Sequence, residues 1–235
     1  MKKEKLLVIV PAHNEEESIV TTVEHLKKEM PEADYIVIND GSTDDTPTLC
    51  RKNGYPCIDL PINVGLAYAV KCGMIYAFRE GYDYALQFDA DGQHDAHYIR
   101  PLLDAMRSDG LDVAIGSRYL EAEMPVTMRT IGARMIRGLI RLFSGKTLTD
   151  PTSGMRMYSR RVMHTFATRT NMTPEPDTIS YLIRCGCRVA EVPVIMHERT
   201  AGKSMFSFYN SARYMVHVLF SLCFVQLFRK KDIEL

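Results

Sequence analysis

"LQFDADGQHD", residues 86–95, joins a strand-like apolar run to a knot of carboxylates. The run Tyr84-Ala85-Leu86-Gln87-Phe88 stops at Asp89 and Asp91, and Gln93, His94 and Asp95 follow at once. Two carboxylates one residue apart repel each other, so a strand end that holds both calls for a cation. Oxygen ligands of this kind, with Gln93 able to add a neutral one, suit Mg2+ or Mn2+, whose shells are usually completed by substrate phosphates and water. An EF-hand is ruled out: counted from Asp89, its glycine and glutamate positions are filled by His94 and Arg100. Zinc would need more histidine or cysteine at ligand spacing than His94 and His97 provide. A solvated acidic turn is the remaining alternative, and the rest of the chain speaks against it.

Working outward, two periods alternate. Leu6-Leu7-Val8-Ile9-Val10 is a continuous apolar run, as expected of a strand covered on both faces. Ile19, Val23, Leu26 and Met30 follow at helical spacing behind a glutamate-rich first turn. Strand is expected again at 35–38, 57–60 and 113–115, with helices at 44–52, 66–79 and 96–108. Such alternation predicts an α/β chain, a mostly parallel sheet flanked by helices. Ligands of these sheets bind beyond the carboxyl ends of the strands. Those ends read Pro11-Ala12-His13-Asn14-Glu15, Asn39-Asp40-Gly41-Ser42-Thr43-Asp44, Asn63-Val64-Gly65, Asp89-Ala90-Asp91 and Gly116-Ser117-Arg118. Every one is polar or glycine-rich, which a purely structural domain does not require. Asp40 is placed to accept hydrogen bonds from a base or ribose, while Ser42 or Thr43 is expected to cap the helix that follows. Neither a G-x-G-x-x-G after a strand nor a G-x-x-x-x-G-K-[ST] is present, which argues against dinucleotide oxidoreductases and P-loop NTPases.

Beyond residue 120 the pattern changes. A helix is expected over 128–143, with Arg134, Arg137 and Arg141 on one face. The segment 205–228 is strongly apolar, with Asn210, Arg213, His217 and Ser221 in a narrow polar stripe. Its uncharged stretch falls short of the roughly 20 residues that span a bilayer. The chain has 235 residues with 29 basic and 29 acidic side chains, so no global charge favours nucleic acid. The six cysteines are scattered, and Cys185-Gly186-Cys187 lacks zinc-site spacing, so buried thiols in a reducing cytoplasm are expected. No signal peptide is recognised at the N-terminus.

"VPAHNEE", "NDGSTDDT", "NVG", "DADGQH", "GSR", "DPTSGMR", "EVPV" and "RTAGKS" stand in the order and approximate spacing of family 2 glycosyltransferases. More narrowly, the chain resembles the polyprenyl-phosphate sugar transferases, the dolichol-phosphate mannose synthase-like branch. The resemblance implies a GT-A fold over 1–204, followed by a C-terminal amphipathic helix over 205–235. It implies an inverting transfer from a nucleotide-diphosphate sugar to a polyprenyl phosphate, with Mg2+ or Mn2+ as cofactor. Pro11, Ala12, Asn14, Glu15, Asp40 and Asn63 would hold the nucleotide. Asp89, Ala90, Asp91 and Gln93 would manage the metal and the diphosphate. Arg118 and Arg129 match the grip on the acceptor phosphate, with Asp150 and Gly154-Met155-Arg156 lining the acceptor side. Arg199 and Ser204, with Lys203 nearby, lie in the segment resembling the family's lid. The lid reads "GKSM" where mannose synthases have a lysine after the serine, Asp177 stands for a frequent glutamate, and Ala133 for a frequent serine. These departures favour a UDP-linked hexose or N-acetylhexosamine over GDP-mannose.

An ionised lipid phosphate needs no strong general base as nucleophile; a sugar-hydroxyl acceptor would need one, and Asp150 or Asp177 would be the candidate. A lipid acceptor places the protein at the inner face of the cell membrane as a peripheral, cytoplasmic enzyme. The basic helix and the tail are then expected at the membrane surface, with a small membrane-protein partner or a homodimer seam as further expectations. A sugar-1-phosphate nucleotidyltransferase would carry a glycine-rich, arginine-containing loop where "PAHNEEE" stands.

Overall fold

Along β1 (Leu6–Ala12), Leu7 and Ile9 enter one apolar layer while Leu6, Val8 and Val10 enter the other. Both faces of this strand are therefore buried, which is why it reads as an unbroken apolar run. The computed structural model describes residues 4–125, 128–197, 215–225 and 229, with residues 128 and 129 described by backbone alone.

β1, β2 (Asp34–Asp40), β3 (Cys57–Leu60) and β4 (Tyr84–Gln87) alternate with α1 (Ile19–Glu29), α2 (Thr46–Lys52) and α3 (Leu66–Arg79). A 3₁₀ turn at Ala96–Tyr98 leads into α4 (Ile99–Ser108), followed by β5 (Val113–Ser117), α5 (Met128–Ser144), β6 (Arg156–Ser159), α6 (Arg160–Thr168), α7 (Pro176–Arg184) and β7 (Val189–Pro193). The seven strands are ordered β3-β2-β1-β4-β6-β5-β7. All pairings are parallel except those of β6, which runs antiparallel to β4 and to β5. The expected mostly parallel α/β sheet is thus present. Its antiparallel member decides the site, because the start of β6 meets the ends of β4 and β5 at one edge.

Close packing fixes the layers. A Cβ on Gly73 of α3 would collide with Ile9, so the helix lies directly on β1 because residue 73 has no side chain. Val218 and Leu222, from the helical segment 215–225, are buried in the same core as α5 and α7. Two local expectations are corrected. Glu15, Glu16 and Glu17 precede α1 rather than forming its first turn, because the chain still turns there to reach the β2 loop. Neither Ser42 nor Thr43 caps α2: Asp45 is its N-cap residue, and the Thr46 N–H is met by Asp44 Oδ1 at 3.0 Å.

Candidate active site

The loops after β1, β2 and β3 are laced together by their polar side chains. Asn14 has φ 55°, a left-handed conformation that asparagine tolerates better than most residues. In this conformation its N–H donates to Ser42 Oγ at 3.0 Å and its Oδ1 accepts from Thr43 N–H at 2.8 Å. The Glu15 N–H donates to Thr46 Oγ1 at 2.9 Å, and His13 Nδ1 donates to the Asp40 carbonyl at 2.7 Å. Asp40, 2% exposed, accepts the Val64 N–H at 2.7 Å on one oxygen and the Gly65 N–H at 2.9 Å on the other. It therefore organises the Asn63 loop, a task its position in sequence did not reveal. Gly41, at φ +61°, completes the contact: a Cβ there would lie 2.5 Å from the Asn63 nitrogen. Pro11 and Ala12, the last residues of β1, are buried beneath these loops. The arrangement is a preformed polar shelf above the first three strands.

Asp89 and Asp91 leave the end of β4 beside that shelf. Asp89 Oδ1 accepts from Gln87 Nε2 at 2.9 Å. His94, 5% exposed, accepts the Asp89 N–H on Nδ1 at 2.9 Å, which leaves its ring proton on Nε2, 3.7 Å from Asp89 Oδ2. The Gln93 N–H donates to Asp91 Oδ1 at 3.0 Å, inside a turn whose Gly92 has φ 76°. Gly154, just before β6, faces Asp89: a Cβ there would stand 2.6 Å from Oδ2. Asp89 is thus held by an amide, a buried histidine and a bare backbone, with its side chain 25% exposed. No cluster of three or more histidine, cysteine, aspartate or glutamate side chains suited to a metal occurs among the described residues. A pair of hard oxygen donors fits Mg2+ or Mn2+ bound mainly through substrate phosphates, and does not fit a closed protein cage.

Arg118 follows β5. Its Nε and Nη2 donate to Asp150 Oδ2 and Oδ1 at 2.6 and 2.9 Å, a forked pair. Burial works against the guanidinium charge, but Asp150 outweighs it and holds the pKa of Arg118 above the ordinary arginine value. Asp150 is fully buried and also receives the Thr152 hydroxyl at 3.2 Å. It has no exposed edge from which to take a proton, and its carboxylate contacts Arg118 directly. Beneath it, Glu191 of β7 accepts the Thr149 and Asp150 N–H groups at 2.6 and 2.7 Å. Asp177, the other candidate base, is 8% exposed and accepts from Ser221 Oγ at 2.5 Å.

The structure therefore gathers Pro11, Ala12, Asn14, Glu15, Asp40, Asn63, Asp89, Ala90, Asp91, Gln93 and Arg118 along one sheet edge. Arg199, Lys203 and Ser204 lie outside the described residues, as does the side chain of Arg129. Sequence reading assigned no role to Gln87 or Glu191, and weighed His94 only as a zinc ligand. The polar Gln87 inside an apolar strand was the available signal for the first; Glu191 carried none beyond its place in "EVPV".

The sequence profile described as glycosyl transferase family 2 matches residues 7–166. The low-salt glycan biosynthesis hexosyltransferase of Haloferax volcanii is 31% identical over 226 residues, covering 92% of this chain and 53% of that protein. The undecaprenyl-phosphate mannosyltransferase of Micrococcus luteus is 31% identical over 216 residues, covering 86% of this chain and 88% of that protein. The chain spans 66% and 53% of the length of two of the curated relatives it matches. Among solved structures, glucosyl-3-phosphoglycerate synthase from Mycobacterium tuberculosis, in complex with Mn2+ and uridine-diphosphate-glucose, superposes with a TM-score of 0.70. That likeness, at 18% identity over 94% of this chain and 79% of that one, is one of fold. With the profile covering more than half of its residues, and the matched blocks lying at the strand ends that build the shelf, this chain belongs to glycosyl transferase family 2.

Proposed function

We propose that this chain is a metal-dependent inverting glycosyltransferase that moves a sugar from a nucleotide-diphosphate sugar to a polyprenyl phosphate at the inner face of the cell membrane, for cell-surface glycan synthesis. A UDP-hexose or UDP-N-acetylhexosamine is the preferred donor and GDP-mannose the second. One observation carries the reading: carboxylates leave β4 and a guanidinium leaves β5 at the same edge, with β6 between them. Two strand spacings, about 10 Å, separate such positions. That gap suits a sugar and a phosphoryl group placed between carboxylates that would carry a divalent cation and an anion-holding guanidinium.

The roles follow from the chemistry. The shelf of Asn14, Glu15, Asp40 and Asn63 binds base and ribose. When bound at Asp89 and Asp91, the metal ion supplies charge stabilisation to the departing diphosphate. Arg118, with Arg129 from α5, holds the acceptor phosphate in line with the anomeric carbon; Arg199 and Lys203 add positive charge on the donor side. A phosphate monoester is largely ionised at neutral pH, so its oxygen attacks without a general base. Catalysis then rests on positioning and electrostatics. The burial of Asp150 disfavours the alternative, a saccharide hydroxyl acceptor, because that reaction needs an accessible base.

The test is direct. The protein is incubated with polyprenyl phosphate and a panel of UDP- and GDP-sugars, with manganese or magnesium. A sugar-lipid product is expected from one donor and none without metal. Transfer to a saccharide, or no transfer from any donor, overturns the reading.

A further inference from the structure

α5 has three faces of different chemistry. Ala133, Ile136 and Ile140 are buried against the core. Ile131, Met135 and Leu142, at 44, 54 and 72% exposure, form an apolar stripe open to solvent. Between these two faces, Arg134, Arg137 and Arg141 recur at helical spacing and line a cavity of about 530 Å³. Its other wall is the segment after Arg118, with Tyr119, Glu123 and Met124. Arg134 Nη2 donates to the Met124 carbonyl at 2.9 Å, while Arg137 and Arg141 form no ion pair among the described residues. Glu123 is the single carboxylate in the lining, so the cavity keeps a positive excess.

The exposed stripe continues on the neighbouring segment. A Cβ on Gly132 would collide with the Met215 side chain, so α5 and the helix from residue 215 pack in direct contact. That helix buries Val218 and Leu222 but exposes Val216, Phe220 and Phe224, whose two phenyl rings lie 4.8 Å apart. The result is an apolar platform made by two helices and bordered by an arginine-lined cavity. No helix among the described residues is long and apolar enough to cross a membrane. A platform of this kind suits an interface, where apolar side chains enter the headgroup boundary and arginines meet phosphates.

We infer that the Arg134–Arg137–Arg141 cavity is a binding site for the phosphate headgroup of an anionic bilayer phospholipid, distinct from the acceptor site at Arg118. The inference rests on the acceptor being lipid-borne, as proposed above. Charge complementarity selects the occupant: Arg137 and Arg141 have no carboxylate partner among the described residues and leave their charge to an anionic ligand. A cavity of about 530 Å³ exceeds one phosphate and lies within the size range of small-molecule sites. A headgroup held there would seat the platform on the bilayer with the neighbouring Arg118 turned toward lipid-borne substrate.

The experiment is flotation of the full chain with acceptor-free vesicles, so that it is independent of whether polyprenyl phosphate is a substrate. Phosphatidylcholine vesicles with and without phosphatidylglycerol are compared. Binding is expected only with phosphatidylglycerol, and it should fall roughly fivefold for each arginine removed in R137Q and R141Q. Replacing the exposed Arg51 and Arg79 by glutamine, away from α5, should leave it unchanged. Equal loss from R51Q/R79Q would make the effect one of general charge and overturn the site. Equal binding to both vesicle types, or a sedimenting dimer that ignores vesicles, would assign the platform to apolar lipid contact or to a second copy, and would likewise overturn it.

Discussion

Glu191 and Asp150 are joined through the backbone: the Glu191 carboxylate accepts the Asp150 N–H at 2.7 Å, while the Asp150 carboxylate grips Arg118. β7 thereby sets the direction of a guanidinium just beyond β5 without touching it. In E191Q one of the two accepting oxygens becomes an NH2 that faces a backbone N–H. On the proposed reaction, the expected outcome is a rise of about tenfold in KM for the lipid phosphate, the scale of a lost hydrogen bond to a charged group. Donor binding, measured by titration calorimetry with UDP or GDP, should stay at the parent value. A parallel loss in both would reduce Glu191 to a fold-stabilising role.

Removing the partner of Arg118 should be costly to the fold itself. D150N leaves a half-buried guanidinium facing a neutral amide, and breaking such a pair destabilises by about 3 kcal/mol. Urea denaturation measures this. A variant as stable as the parent would show that the pair contributes little net energy.

The carboxylate end of β4 is tested by D91N. Turnover should fall at least a hundredfold with the far-ultraviolet dichroism unchanged, and nucleotide binding should lose its dependence on manganese. Retained activity would remove Asp91 from the metal assignment.

Gly154 gives a steric test of the same group. A Cβ at this position would stand 2.6 Å from Asp89 Oδ2, so G154A must displace either the carboxylate or the start of β6. Overpacking of this kind costs about 1–3 kcal/mol. Weaker manganese binding, read from proton relaxation of bound water, is expected alongside the lower stability. Unchanged manganese affinity would show that Asp89 can move without consequence.

Glu175, which precedes α7, has its pKa raised first by burial and then by the Asp177 charge. Ionising it costs more in the folded than in the unfolded chain. Its contribution to stability is therefore intact below the unfolded carboxyl pKa and declines as pH rises through that value toward the raised one. E175Q should melt higher than the parent at neutral pH and lose that advantage in acid. The reverse pH trend in thermal melts would contradict the direction of the shift.

Much of this was legible along the chain. The β1 run, the helical spacing of Ile19, Val23, Leu26 and Met30, and the polar strand ends follow from local period and residue type, which sequence carries directly. The residues of the polar shelf and the Asp89–Asp91 pair were legible for the same reason: each group lies at the end of a continuous strand. What sequence could not supply was the partner of each group. The pairing of Asp150, a candidate base only for a sugar-hydroxyl acceptor, was hidden because nothing nearby in the chain shows a forked arginine, which arrives from residue 118. That Asp40 also holds the Asn63 loop was not legible, because the Val64 and Gly65 N–H groups reach it from another loop.

The sequence by itself determined the alternation of strands and helices and the chemistry at their ends, since both depend on side chains close together along the backbone. The tertiary structure alone decided that β6 runs antiparallel between β4 and β5, that Gly154 makes room for Asp89, and that Glu191 steadies Arg118. Those are contacts between segments distant in the chain, fixed by sheet order and close packing rather than by any local pattern.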